Sequence, residues 1–403
     1  MKQKKEVKIR HYFVVKIAIL FVIPWLKIKY RFSYKKQKEL KRKGPFLILG
    51  NHTVPEDPML LGFLFPFQSN YYVASEQIFN LGFLSKLLVW AVNPIKKAKS
   101  TSDLSTIRKS KTIIKQGGTI GMFAEGNVTY SGETTTINPA VVKYIRLMSV
   151  PVIFYNTEGL YLSNPRWAIY PKKGKSTGYI KRIMQPDEYK QLTDEQLYEI
   201  IKEELYVNCY DQKVLGNVAY KGKKLALGLE RMLFMDLKTN QPFKTYSKDN
   251  QLLSTVSDFS FTYDEYGYLS NQTEKITLIE AQQRTIDAYV DYLSKREDNY
   301  LFDEMVILEQ TNARKKIKLG KFKLNMYTDK LVFSSVGHLI EVTYDKLSSI
   351  AIQGKRKLIM YHQDETYLIT LDEKSSPLKY LITYQYYQNR NSEDITNVFK
   401  FGL

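Results

Sequence analysis

Short apolar runs alternate with helical stretches between residues 44 and 228, and this alternation constrains the fold more than any other feature. Each run is four to six residues long, the usual length of a buried strand. The runs lie at 46–49, 71–74, 119–123 and 150–155. Alternation of this kind is typical of an α/β domain with a largely parallel sheet.

Two of the intervening stretches have recognisable helix ends. Residues 103–116 have amphipathic helical spacing and are followed by Gly117 and Gly118, which favour a helix C-terminus. Thr193 and Gln196 have the spacing of a capping box, so a helix is predicted from there to about residue 207. We expect the α/β domain to end near residue 228.

The pattern changes in the second half of the chain. Residues 229–300 are less regular, with hairpin-like alternation around 259–268 and a helical stretch at 279–293. From residue 315 six short strand-like segments follow one another, and an amphipathic helix at 377–388 closes the series. This order predicts a small β-barrel or sandwich capped by a helix.

The chain is thus divided into four predicted parts. Residues 1–43 form a basic and apolar N-terminal segment, and residues 44–228 form the α/β domain. Residues 229–300 form an irregular connection, and residues 301–403 form a small β-rich domain with a C-terminal helix. The single cysteine, Cys209, excludes an internal disulfide and a cysteine-based zinc site, which fits a reducing compartment. No metal or cofactor is expected.

The N-terminal segment holds most of the excess charge. Residues 1–43 contain twelve Lys and three Arg against two Glu, a net charge of +13 out of +19 for the whole chain. Residues 12–26 of the same segment are apolar except for Lys16. This block is 15 residues long, whereas a membrane-spanning helix needs about 20. It is basic on both sides, and no small-residue cleavage site follows it.

These features favour a helix that lies in the interface of an anionic membrane. A buried core helix with solvated basic flanks is the alternative. Nucleic acid is disfavoured as a partner, because the basic residues bracket the apolar block and do not interleave with aromatic residues. We therefore expect the protein at the cell membrane, peripheral or monotopic on its cytoplasmic face.

A histidine and an aspartate follow the first apolar run. His52 and Asp57 are separated by four residues, an HX4D spacing. A neutral imidazole can act as a base at physiological pH, and a carboxylate behind it fixes its tautomer. Pro55 can bend the chain between them. On spacing alone, a structural histidine that caps the next helix is the favoured explanation of the pair.

Four motifs in order give this region a more specific meaning. They are Asn51-His52 with Asp57, then Pro94-Ile-Lys-Lys97, then Phe123-Ala-Glu-Gly-Asn-Val-Thr129, then Val150-Pro-Val-Ile153. Residues 40–215 thereby resemble the glycerolipid acyltransferase family, which includes the 1-acyl-glycerol-3-phosphate acyltransferases. The resemblance implies an α/β acyltransferase domain at residues 44–228, acting in phospholipid biosynthesis.

The resemblance also implies roles for individual residues. His52 would be the general base and Asp57 its orienting partner. Glu125, Gly126 and Asn127 would bind the acceptor, and Lys96 or Lys97 would bind a phosphate. The expected reaction moves a fatty acyl group from acyl-CoA or acyl-carrier protein to a lysolipid hydroxyl, by default that of lysophosphatidic acid.

Two departures from the family pattern bear on the acceptor. Lys96 and Lys97 stand where the second motif usually has Arg, and Val128 stands where the third usually has Arg. Arg108, Lys109 or Lys143 could compensate, or the acceptor could be a lipid alcohol without a phosphate. A catalytically inactive relative that serves as a lipid- or protein-binding scaffold is the other alternative. The last hundred residues resemble the pleckstrin-homology or GRAM type in strand pattern only.

Overall fold

The computed structural model describes residues 5–65, 68–75, 79, 83–97, 104–312, 315–363 and 365–389. The chain divides into two compact units. Unit 1 consists of Met1–Ser163 and Lys173–Tyr220, and unit 2 consists of Asn164–Lys172 and Lys221–Leu403.

Unit 1 contains helices on both faces of a seven-stranded sheet. The helices are α1 (Ile9–Tyr30), α2 (Asp57–Gly62), α3 (Phe83–Val92), α4 (Leu104–Lys115), α5 (Ala140–Met148), α6 (Leu160–Ser163), α7 (Pro186–Lys190) and α8 (Asp194–Leu205). The strands are β1 (Phe32–Tyr34), β2 (Leu47–Gly50), β3 (Asn70–Ser75), β4 (Ile95–Lys97), β5 (Thr119–Phe123), β6 (Val152–Glu158) and β7 (Ser176–Met184).

The strand order is β1-β7-β6-β2-β5-β3-β4. Every neighbouring pair is parallel except β6 with β7, which is antiparallel. The predicted α/β fold with a largely parallel sheet is therefore confirmed. The capping box is also present, because Thr193 Oγ1 accepts from the Gln196 backbone amide at the start of α8.

Strand β2 lies at the centre of this sheet and is buried on both faces. Leu47 and Leu49 point into the larger core cluster, whereas Ile48 packs in a second cluster with Leu61 of α2. The strand ends at Gly50, which is in register with the last residue of β5. In open α/β sheets, the carboxyl ends of such strands are where ligands bind.

Helix α1 is longer than the apolar block that the sequence indicated. It has 22 residues, because charged residues at both ends of the block join the helix. Its best window has a mean hydropathy of 1.7 and is 17% buried, so it is long and apolar enough to cross a membrane. The length argument against a span was therefore wrong, and the interfacial position stays a prediction.

The two sides of α1 have different surroundings. Leu26 and Tyr30 are buried in a cluster with Val54 and Leu60. The other side exposes seven apolar residues, each at least 45% exposed: Ile9, Phe13, Ile17, Leu20, Phe21, Trp25 and Ile28. We call these seven residues the exposed α1 face. The helix is thus part of the core of unit 1 and also presents an apolar surface.

Unit 2 is mostly β. Its helices are α9 (Leu278–Ser294) and α10 (Pro377–Asn389). Its strands are β8 (Met235–Asp236), β9 (Gln241–Pro242), β10 (Thr245–Lys248), β11 (Gln251–Ser254), β12 (Ser260–Tyr263), β13 (Leu269–Ser270), β14 (Lys275–Ile276), β15 (Tyr300–Asn312), β16 (Lys315–Tyr327), β17 (Lys330–Ser335), β18 (His338–Thr343), β19 (Leu347–Gln353), β20 (Lys357–His362) and β21 (Glu365–Thr370).

Strands β10 to β14 form a five-stranded antiparallel sheet in chain order, so the region predicted as irregular is more regular than expected. The last seven strands form a second sheet in the order β18-β17-β16-β15-β21-β20-β19, which α10 follows. A mostly β C-terminal part with a closing helix is therefore confirmed.

The sequence did not predict β15. Its acidic residues Asp303 and Glu304 are unfavourable in strands. The structure compensates for Glu304, which is 13% exposed and lies 3.0 Å from Lys379 Nζ. Ser375 and Tyr380 also donate to the Glu304 carboxylate, at 2.8 and 2.5 Å. These partners are far along the chain, so local sequence could not show them.

Candidate active site

The side chain of Asn51, which follows β2, is hydrogen-bonded to the backbone of the neighbouring strand β6. Asn51 is 2% exposed, and its Oδ1 accepts from the Thr157 backbone amide at 2.8 Å. Its Nδ2 donates in return to the Thr157 carbonyl at 3.3 Å. This reciprocal pair extends the β2–β6 pairing by one position, so the backbone is fixed where His52 begins.

Asp57 turns back on His52, as the sequence predicted. Its Oδ2 lies 2.9 Å from His52 Nδ1 and also accepts from the backbone amides of Thr53 and Val54, at 2.5 and 2.9 Å. The side chain is 1% exposed. These hydrogen bonds fix the position of the buried carboxylate.

This contact determines the histidine tautomer. An ionised carboxylate can only accept hydrogen bonds, so His52 Nδ1 carries the ring proton and Nε2 has a free lone pair. Nε2 has no hydrogen-bond partner among the residues that the structure describes. The imidazole stacks on Phe123, with ring centroids 4.5 Å apart, and remains 17% exposed. The arrangement can therefore remove a proton from a group that approaches Nε2.

Glu125 follows β5 and is buried beside the same histidine. Its Oε1 accepts from the His52 backbone amide at 2.7 Å. Its Oε2 accepts from the Thr135 amide and hydroxyl, at 2.9 and 3.1 Å. Glu125 thus connects the loop after β5 to the loop that carries His52. Burial raises the pKa of Glu125 to about 7.

The free energy of unfolding should differ between Glu125→Gln and wild type by an amount that depends on pH. The folded pKa of about 7 exceeds the ordinary value of 4.5, so the fold favours the protonated acid. The raised pKa contributes up to about 3 kcal/mol to the free energy of unfolding of wild type. This stabilisation is fully present below pH 4.5 and is lost as the pH rises through 7. Denaturant unfolding of both proteins at pH 4.5, 6 and 7.5 measures it. A difference that stays constant with pH would contradict the prediction.

The other predicted binding residues lie at the same edge of the sheet. Gly126 is exposed and has φ +77°, a conformation that a residue with a Cβ adopts only with strain. Asn127 follows it and is half-buried. Lys96 is exposed and Lys97 half-buried at the end of β4, three strands from β2. Three strand spacings correspond to about 14 Å.

Sequence reasoning missed one polar cluster at this site. Glu56 accepts from Lys29 Nζ at 2.5 Å and from the Tyr30 hydroxyl at 2.8 Å. The end of α1 is therefore attached to the residue next to Asp57. Local sequence gave no signal for this cluster, because the partners of Glu56 are 26 and 27 positions away along the chain. Thr135, which bonds to Glu125, was missed for the same reason.

The fold and these contacts define a class of protein: an α/β domain with a hydrogen-bonded His–Asp pair at the carboxyl edge of a largely parallel sheet. Comparison with known proteins shows which family this domain resembles. Residues 31–154 match the model of the acyltransferase family. The chain therefore carries an acyltransferase-family domain, and the resemblance that the four motifs predicted is confirmed.

One curated relative is the 1-acyl-sn-glycerol-3-phosphate acyltransferase of Borreliella burgdorferi. It is 24% identical over 132 residues, which are 32% of this chain and 52% of the relative. The chain thus matches about half of the length of that relative.

Two solved structures are also similar to parts of the chain. The lysophosphatidic acid acyltransferase PlsC of Thermotoga maritima is 17% identical, with a TM-score of 0.40 over 48% of this chain and 76% of that one. The N-terminal PH domain of human ARAP2 is 9% identical, with a TM-score of 0.19 over 23% of this chain and 83% of that one.

Proposed function

We propose that this protein is a membrane-associated acyltransferase that esterifies a lipid hydroxyl, with His52 as the general base. The observation that carries the proposal is that His52 Nε2 has no hydrogen-bond partner among the described residues, whereas Nδ1 is held by buried Asp57 and the imidazole is 17% exposed. The family match and the name of the Borreliella relative support a glycerolipid as the acceptor. The donor would be a thioester, acyl-CoA or acyl-carrier protein.

The reaction needs two proton transfers, one to His52 and one from it. His52 Nε2 takes the proton of the acceptor hydroxyl while its oxygen forms a bond to the thioester carbonyl carbon. The carbon–sulfur bond of the resulting tetrahedral adduct then breaks. The leaving thiolate receives the proton from the imidazolium, so the base is restored. Asp57 stabilises the imidazolium between these two steps.

Acceptor binding is assigned to the loop after β5 and to the end of β4. Gly126 and Asn127 adjoin the His52 loop, and Lys96 and Lys97 supply positive charge at the same edge of the sheet. Glu125 already accepts three hydrogen bonds from the chain. We therefore assign Glu125 to positioning the His52 backbone, with at most one lone pair left for an acceptor hydroxyl.

Val128 bears on which lipid is the acceptor, because it stands where the family usually has a phosphate-binding Arg. The next residue, Thr129, donates its amide to the His52 carbonyl at 3.0 Å, so Val128 adjoins the base. A valine side chain there offers neither charge nor a hydrogen bond to a phosphate. The default acceptor is lysophosphatidic acid, and the alternative is a lipid alcohol that is neutral or linked through a phosphodiester.

Val128→Arg should shift acceptor preference toward lysophosphatidic acid. A charge-assisted contact contributes roughly 1.5–3 kcal/mol, or about ten- to a hundredfold in selectivity. The measurement is competition between lysophosphatidic acid and a neutral monoacylglycerol for one labelled acyl thioester, with purified protein in micelles. Val128→Met is the matched control, since it adds length without charge.

The wild-type assay tests the proposed function itself. Ester formation with either acceptor supports it, and the ratio identifies the acceptor class. A strong wild-type preference for lysophosphatidic acid that Arg108→Ala removes would mean that Arg108 replaces the missing arginine. Absence of transfer to any lipid alcohol from either thioester would favour the inactive scaffold.

A further inference from the structure

A second basic site lies in unit 1, away from His52. A partly open cavity of about 510 Å³ lies between the beginning of α1 and helix α3. Among the described residues of its lining are four cationic ones, Lys5, Lys8, Arg10 and Lys86, and one carboxylate, that of Glu6. A concave surface with such an excess of positive charge is suited to an anion.

The carboxylate is part of the wall of the cavity. Glu6 Oε2 accepts from Asn93 Nδ2 at 2.9 Å, and the Glu6 backbone amide donates to Gln116 Oε1 at 2.9 Å. Asn93 in turn accepts from Lys109 Nζ at 2.9 Å. These bonds fix the segment that precedes α1, so the cavity is a built feature of the fold and not a gap beside a loose terminus.

A buried histidine forms another part of the lining. His11 is 2% exposed, and its Nδ1 lies 3.0 Å from the Tyr71 hydroxyl. Burial lowers the pKa of His11 to about 4, so the ring is neutral. Its Nε2 has no hydrogen-bond partner in the described part of the chain. This wall therefore adds no charge to that of the cations in the lining.

Exposed apolar side chains lie on the two helices that line the cavity. The exposed α1 face begins here with Ile9 and Phe13, and on α3 Leu87 and Trp90 are 45% and 51% exposed. The Arg10 guanidinium lies 5.5 Å from the centre of the Trp90 ring. Cations and a tryptophan at the end of an apolar surface are typical of the headgroup level of a bilayer.

The strand register separates this cavity from the candidate active site. Tyr71, the partner of His11, is in register with Ile120, which is in register with Leu47. Leu47 precedes His52 by five residues, or about 16 Å along a strand. The cavity is therefore near the amino ends of the strands, whereas His52 is at their carboxyl ends.

We propose that this cavity binds the phosphate of an anionic phospholipid of the bilayer. The cations hold the phosphate, and the acyl chains of the lipid lie along the exposed α1 face. The bound lipid is separate from the acceptor in the reaction. This inference rests on the membrane association included in the proposed function.

Vesicle binding of a charge-neutralised variant tests the proposal. Lys8→Gln, Arg10→Gln and Lys86→Gln are combined, and the matched control combines Lys36→Gln, Lys41→Gln and Lys43→Gln, which remove three exposed charges from the same N-terminal region. On vesicles of phosphatidylglycerol and phosphatidylcholine, the cavity variant should lose at least tenfold in affinity. The control should lose less than threefold, and neither should change on phosphatidylcholine alone.

Equal losses in the two variants would overturn the proposal, because general charge attraction would then explain binding. Titration with inorganic phosphate distinguishes a soluble occupant. Phosphate binding that the cavity variant loses while keeping wild-type vesicle affinity would assign the site to free phosphate and also overturn the proposal. Acyl transfer in detergent micelles should be unchanged in both variants, so failure of the acyltransferase proposal is detected separately.

Discussion

His52→Ala should lower the rate of acyl transfer by about 10² to 10⁴, the usual contribution of general acid–base catalysis. The imidazole is held by one side-chain contact to Asp57 and stacks on Phe123, whereas the backbone is fixed independently by Glu125. The substitution should therefore remove the base without releasing the loop. The measurement is kcat with a labelled thioester, accompanied by a thermal unfolding curve.

His338→Ala is the matched control, since His338 is exposed on β18 in unit 2. Its activity should equal that of wild type. Asp57→Asn should also impair transfer, because an amide can present its NH₂ to Nδ1 and favour the wrong tautomer. Transfer by His52→Ala within a factor of two of wild type would reject His52 as the base.

The sequence predicted the elements that depend on neighbouring residues, and it missed elements that depend on residues far along the chain. Strands such as Thr119–Phe123 and the capping box at Thr193 follow from neighbouring residues, and both are present. The strand Tyr300–Asn312 was missed, because Glu304 is tolerated there only through Lys379 and its neighbours. A contact across 75 positions leaves no trace in local periodicity.

The candidate site shows the same limit. The HX4D spacing predicted the His52–Asp57 contact, since a short bent segment can bring the two together. The connection of Glu125 to the backbone of His52 was not predictable, because it depends on the β2–β5 register. The sequence suggested acceptor binding for Glu125, whereas its observed partners belong to the protein.

The structure also changes how the membrane prediction should be tested. Deletion of residues 1–30 would remove Leu26 and Tyr30, which are buried in the core of unit 1. It would also remove Lys29, a partner of Glu56 beside the candidate base. Loss of solubility or activity after such a deletion would report damage to the fold. Substitutions confined to the exposed α1 face avoid both effects.

Combined Phe13→Ser, Leu20→Ser and Phe21→Ser should release the protein from vesicles. The three side chains are 58%, 69% and 72% exposed, so the core does not need them. Burial of a large apolar side chain contributes roughly 1.5–3 kcal/mol. Partial insertion of three gives on the order of 4 kcal/mol, or about a thousandfold in partition. Sedimentation with phosphatidylglycerol vesicles measures it.

The control combines Met305→Ser, Val336→Ser and Leu339→Ser, which remove apolar side chains of 59%, 97% and 69% exposure from unit 2. It should bind as wild type does. Wild-type binding should also persist in part at 1 M salt, where the Debye length is about 3 Å, because apolar burial is insensitive to screening. If the α1 variant still sediments like wild type, the exposed α1 face is not the membrane contact, and its apolar residues must serve a different partner.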